Sequence, residues 1–163
     1  MLAGTSVTGA DFPEGPELGD PADAQRIEHW DRSIMPGGQG LPSGSGGVEE
    51  GRAVYEQYCQ VCHAPGGVGD SGDQLAGARM DLTSDWPEKT IGNYWPYATT
   101  LFDFIRRSMP MTAPQSLSND EVYAVTAYLL YLNDIIGEND ILDAETLSKI
   151  EMPNRDGFID SYK

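Results

Sequence analysis

An all-α domain held between two extended arms is the fold class this sequence predicts, and three observations predict it. Apolar residues recur at helical spacing in three separate windows between Val48 and Leu132. Residues 1–47 are rich in Gly, Pro and acid and end in PGGQGLPSGSGG, a composition that favours an extended chain. From Asn133 onward the chain is acidic again and holds no long periodic stretch. The resulting division is an extended N-terminal arm over 1–47, a helical domain over 48–133 and an acidic C-terminal tail over 134–163.

Within the first arm, only the stretch PADAQRIEHW has the composition for a turn or two of helix. The first domain helix runs from about Val48 to Tyr58, with Gly51, Val54, Tyr55 and Tyr58 on one stripe. Residues 64–98 carry many Gly, Asp and aromatic-Pro steps and no period, which predicts a long loop. A loop of that length inside a compact domain implies a function, here wrapping a bound group that supplies apolar surface. A short helix is predicted at about Thr100 to Ser108, where Leu101, Phe104 and Ile105 form a stripe. The last helix, LSNDEVYAVTAYLLYLN, opens with Ser118 and Glu121 in capping-box spacing and lines Val122, Val125, Leu129 and Leu132 on one face beside Tyr128. In the tail, DAETLSKI offers one further helical turn.

Both cysteines of the chain and one of its two histidines fall in YCQVCH, residues 58–63. Three chemistries compete for that spacing. A disulfide between Cys59 and Cys62 is the thioredoxin-like reading, but such motifs accompany a βαβ pattern and none is visible. A zinc site needs three or four protein ligands, and His29 alone remains in the Cys/His set, so carboxylates would have to complete it. Covalent haem c is the third: two thiols spaced for the two vinyl groups of a porphyrin, followed at once by an axial imidazole from His63. It is the reading that uses every residue of the motif. Covalent haem implies maturation outside the cytoplasm, hence a periplasmic protein whose targeting segment was removed ahead of this sequence.

The formal net charge is −16, which excludes a nonspecific nucleic-acid binder because phosphate affinity needs clustered Lys and Arg. No apolar run approaches membrane-spanning length, so no membrane span is predicted. The acid concentrates outside the domain: residues 1–50 carry nine acids against two bases, and residues 133–163 eight against three. That distribution serves solubility or docking to a basic surface.

A helix ending in the attachment motif, a loop-rich middle and an amphipathic last helix resemble the class I cytochrome c plan. That family crosses its first and last helices through a glycine and an aromatic on one and an aromatic on the other. Gly51, Tyr55 and the run Ala127-Tyr128-Leu129 match those positions. The resemblance implies a thioether as the second axial ligand, and Met109, 46 residues after His63 in RRSMPMTAPQSLS, stands where class I cytochromes place it. Met111 is the second choice. Met80 falls too early, Met35 lies in the arm, Met152 follows the last helix, and His29 would be an unusual ligand. Leu75 and Gly77 in QLAGARM resemble the family loop that positions the proximal histidine, without its usual preceding proline, so the carbonyl that accepts the His63 ring proton is left open. Trp95 and Tyr97 offer either donors to the haem propionates or packing for the ring edge.

A closer resemblance rests on the blocks WPYATT, APQSL and MPNRDGF, together with WDRSIMPGGQGLPSGSG before the domain. These are similar to the cytochrome subunits of bacterial sulfur-oxidising molybdenum enzymes: the haem subunit of Sox-system sulfane dehydrogenase (SoxD type) and sulfite dehydrogenase cytochromes. The best-known sulfane dehydrogenase subunits carry a second haem domain, whereas one attachment motif exists here, which points to a mono-haem, sulfite-type subunit. The resemblance implies an electron carrier with no catalytic residues of its own. It would take electrons one at a time from a molybdenum-containing catalytic subunit of sulfite-oxidase type and pass them to a downstream cytochrome or other acceptor. The arms would lie on that partner through Trp30, Ile141, Leu142 and Phe158. A free-standing periplasmic shuttle, the haem subunit of a different dehydrogenase, and a sensor with an open sixth position are the rival readings.

Overall fold

Helices α2, Val48–Tyr58, and α6, Asn119–Leu132, cross at Gly51, where the absence of a side chain sets the approach. A Cβ at Gly51 would collide with the Ala124 carbonyl and the Tyr128 Cβ. One turn further on, the Tyr55 ring meets the Tyr128 ring with centroids 5.3 Å apart, so a glycine and two aromatics fix the crossing. The computed structural model describes residues 19–77, 82–159 and 161, without the side chains of residues 28 and 29. It divides into a unit ending at Arg32 and a second beginning at Ser33. In the first, α1, Ala24–Trp30, is capped by Asp23, whose carboxylate accepts from the Arg26 N–H at 2.7 Å.

The second unit holds the remaining α-helices and strands, β1, Ser45–Gly47; α2; α3, Gln60–His63; α4, Ile91–Tyr94; α5, Ala98–Ser108; α6; β2, Ile141–Asp143; and α7, Ala144–Leu147, with a 3-10 turn at Pro65–Gly67. Helix α6 begins with the expected capping box: Ser118 Oγ accepts from the Glu121 N–H, and the Glu121 carboxylate accepts from the Ser118 N–H at 2.7 Å. It is buried from Val122 through Leu130 on every side rather than on one face. A helix apolar all round belongs inside. In mid-helix the buried Thr126 hydroxyl donates to the Val122 carbonyl at 2.7 Å.

What covers the second side of α6 is the stretch expected as an arm. Residues 33–47 lie on the body: Ile34 and Leu41 pack against the core, Thr99 Oγ1 donates to the Pro36 carbonyl, and Tyr123 Oη donates to the Pro42 carbonyl at 2.8 Å. Strand β1 then runs antiparallel to β2 with Ser45 opposite Asp143 and Gly47 opposite Ile141. A side chain at Gly46 would strike Ala124, so the glycines here let the ribbon seat directly on α6. The tail is likewise folded back. Leu142, Leu147 and Met152 are core residues, α7 is capped by Asp143, and Asn154 Nδ2 donates to the Tyr94 carbonyl at 2.7 Å.

Two further expectations change. On α5 it is Phe102, its ring tilted against that of Tyr123 with centroids 4.4 Å apart, that enters the core with Leu101 and Ile105, while Phe104 is exposed on its outer side. Of the four proposed partner anchors, Leu142 is taken by the chain's own core at 3% exposure; Trp30, Ile141 and Phe158 are exposed. Among the described residues, no helix is long and apolar enough to cross a membrane.

Candidate haem site

The attachment motif sits where α2 stops. Cys59 caps α2 with its N–H on the Tyr55 carbonyl at 2.9 Å, and its own carbonyl accepts from both Cys62 and His63, starting the single turn of α3. Both cysteines are free thiols, half-buried and within that turn. Burial pushes the Cys59 thiol up to about 11, with the neighbouring Cys62 adding to the shift. A thiol so held is a poor nucleophile for disulfide exchange, which draws on lowered thiol pKa values. Among the described residues no three His, Cys, Asp or Glu side chains converge.

After His63 the chain reverses sharply. Ala64 adopts φ 60°, ψ 168°, a conformation that costs any residue with a Cβ, and Gly66, Gly67 and Gly69 continue with positive φ. Backbone bonds tie this reversal together: Gly69 N–H to the His63 carbonyl at 3.0 Å, Gly72 N–H to the Cys62 carbonyl at 2.8 Å, and Leu75 N–H to the Gly67 carbonyl at 2.8 Å. Its product is one fixed imidazole. His63 Nδ1 lies 2.7 Å from the Asp73 carbonyl, and a carbonyl can only accept, so Nδ1 donates, and in the neutral imidazole the lone pair falls to Nε2. A Cβ at Gly72 would stand 2.8 Å from His63 Cε1, so the ring is seated against bare backbone.

Leu75 and its neighbours brace this loop from behind. The Leu75 carbonyl accepts from Ile91 N–H and from Asn133 Nδ2, and Asn133 Oδ1 accepts from Gly92 N–H at 3.1 Å. Asn133 therefore joins α6, α4 and the proximal loop. Met109 caps α5, with its N–H on the Ile105 carbonyl, and its side chain is half-buried against the same core as Cys59, Leu75 and Trp95. Trp95 closes α4 and meets Phe104 edge-on at 5.6 Å. Tyr97 opens α5 beneath the Arg155 guanidinium. Of the other methionines, Met111 is 76% exposed, Met35 is exposed, and Met152 is locked in the core. Met80 and the side chain of His29 lie outside the described residues.

The family described as cytochrome c oxidase, cbb3-type, subunit III matches residues 46–129, half of the chain and all of Cys59, Cys62, His63 and Met109. The chain belongs to this cytochrome c family. The cytochrome is similar to a chain in the crystal structure of the sulfane dehydrogenase SoxCD from Paracoccus pantotrophus, at 42% identity and a TM-score of 0.84, over 90% of this chain and 73% of that one. It is also similar to the thiosulfate dehydrogenase of Stutzerimonas stutzeri (strain A1501), 28% identical over 113 residues, 62% of this chain and 36% of the relative. The chain thus spans about a third of the length of that curated relative. The mostly helical class I fold and the resemblance to sulfur-oxidising dehydrogenases are both borne out, and the protein is an electron-transfer cytochrome c domain related to SoxCD.

Family membership implies haem c, and the residues present fit it. Two free thiols three residues apart precede an imidazole whose Nδ1 is already committed to the Asp73 carbonyl, which leaves Nε2 for a metal. Asp73, Ala64 and Asn133 escape a reading of side-chain chemistry. Two of them act through backbone atoms, and Asn133 stands just past the last helical stripe with nothing to mark it but its type.

Proposed function

We propose that the chain is a mono-haem electron-carrier subunit. Cys59 and Cys62 would hold the haem through their two sulfurs, and His63 Nε2 and the Met109 thioether would be its ligands from the chain. Bound there, haem supplies a one-electron iron couple. The chain's own residues do the rest. Asp73 orients and enriches the imidazole, the glycines of the proximal loop admit it, and the thioether of Met109 would raise the potential of a bound haem and close the site to small ligands. Trp95 and Tyr97 line the ring edge or donate to the propionates.

The electron donor in this reading is a molybdenum-containing catalytic subunit of sulfite-oxidase type acting on sulfite or sulfane sulfur, and the acceptor a downstream cytochrome or other carrier. A two-electron sulfur oxidation requires this chain to be loaded and unloaded twice. The observation that carries the partner is the reach of the likeness to SoxCD, 90% of the chain, well beyond the 46–129 domain. Exposed Trp30, Ile141 and Phe158 supply the apolar contacts for such a partner. The location is periplasmic, where covalent haem is assembled.

Purification of the cytochrome from its native host, with metal analysis of whatever accompanies it, tests the partner. A larger molybdenum subunit that reduces the cytochrome when given sulfite or thiosulfate is the expected result. A cytochrome that purifies alone and stays oxidised with both substrates identifies a free-standing shuttle instead.

A further inference from the structure

Tyr55 is fully buried, and its ring alone would serve the helix crossing, since phenylalanine fills the same space against Tyr128. Its hydroxyl needs another reason, because a buried hydroxyl is costly unless bonded. The hydroxyl donates to the Ala64 carbonyl at 2.7 Å, with the His63 carbonyl 3.4 Å away. Ala64 is the residue held at φ 60°, ψ 168°, in the first peptide after the imidazole. The same carbonyl accepts from Gly67 N–H, and the Gly67 carbonyl in turn accepts from Leu75 and Ala76, two and three residues beyond Asp73. One hydroxyl therefore anchors both the turn that leaves His63 and the loop that brings the Asp73 carbonyl to its ring.

We infer that Tyr55 is a positioning residue for the axial histidine: its hydroxyl holds Ala64 in a conformation an alanine resists, and so keeps His63 Nδ1 on the Asp73 carbonyl. The inference rests on the haem reading above and goes beyond it, since it assigns control of the imidazole to a residue on α2 that touches neither ring nitrogen. Without the hydroxyl the turn relaxes toward ordinary φ, the Nδ1–H bond to Asp73 weakens, and the imidazole becomes a poorer electron donor. The ferrous state gains and the midpoint potential rises.

The test compares holo wild type, Tyr55→Phe, Ala64→Gly and the double variant, by exchange of the His63 Nδ1 proton in the ferric NMR spectrum and by midpoint potential. In Tyr55→Phe the proton exchanges on the order of tenfold faster, as for the loss of one hydrogen bond, and the potential moves upward. Ala64→Gly alone leaves both unchanged. The double variant returns both to wild-type values, because glycine adopts φ 60° unaided. A Tyr55→Phe protein that melts earlier but keeps the wild-type exchange rate and potential assigns the hydroxyl to packing and overturns the inference, as does a double variant that is not rescued. If Tyr55→Phe fails to mature, the double variant decides by the same two readings. Wild-type protein without covalent haem sinks the functional reading itself, whereas covalent haem with unaltered exchange sinks only the role of Tyr55.

Discussion

His63 Nδ1 and the Asp73 carbonyl stand 2.7 Å apart, ten residues of chain closed into a loop by one side-chain bond. Gly72 lies between them in sequence and under the ring in space. A methyl at position 72 would reach 2.8 Å from Cε1 and 2.9 Å from Nδ1, and the imidazole is not the free end of a flexible chain. Gly72→Ala is expected to cost about 1–3 kcal/mol, the usual range for overpacking. Chemical denaturation of the holo protein measures it; unchanged stability with an unchanged haem spectrum contradicts the seating described.

Ala64 carries the opposite expectation. Its φ 60°, ψ 168° backbone lies in a region open essentially to glycine and costs an L-residue about 1–3 kcal/mol, part of which glycine returns as unfolded-state entropy. Ala64→Gly is therefore expected to stabilise the protein by roughly 0.5–1 kcal/mol, seen as a higher denaturation midpoint with the same slope. A loss of stability speaks against the strained turn.

Gly51 tests the helix crossing. Gly51→Ala places a Cβ into the Ala124 carbonyl, and backbone cannot rotate away as a side chain can. The helices must separate, at a cost of about 2 kcal/mol or more. A thermal melt indistinguishable from wild type rules out so close an approach.

Asp143 gives stability a dependence on pH. Its carboxylate caps α7, accepting from Thr146 N–H at 2.8 Å and Glu145 N–H at 2.9 Å, and these bonds hold its pKa below the ordinary carboxylate value. A folded pKa lower than the unfolded one stabilises the native state above about pH 4. That contribution is lost as pH falls through the folded value. The stability difference between wild type and Asp143→Ala is expected to be constant near neutrality and to shrink on acidification below about pH 4. A difference that grows toward acid pH reverses the sign and removes the cap from the account.

How far the chain was legible depends on which interactions hold each part. Helices α2 and α6 are visible in the sequence because their stripes and the Ser118–Glu121 box are local signals. The capping box Thr90–Asn93 of α4 is equally local, but it opens a single turn inside Gly- and Pro-rich chain and is lost there. Residues 33–47 read as an arm because their apolar content is small; they are held by side chains far along the chain, Thr99, Asn119 and Tyr123, donating to their carbonyls. No periodicity records such bonds. The same holds at the site, where Cys59, Cys62 and His63 announce themselves by spacing, while the acceptor for the ring proton is the main chain of Asp73.

Met109 is the ligand assignment that spectroscopy can isolate. Met109→Ala is expected to abolish the near-infrared methionine-to-iron band, lower the potential and admit carbon monoxide to the reduced protein, with Met111→Ala leaving all three unchanged. Loss of the band in Met111→Ala instead moves the ligand two residues.

The central claim is that YCQVCH carries one covalent haem. The most direct measurement is the pyridine haemochrome spectrum of the mature protein after acid-acetone extraction, with haem counted against chain. The account predicts one haem per chain, retained through extraction and lost in Cys59→Ala/Cys62→Ala. Haem that extracts freely, or a mature protein without haem, contradicts it.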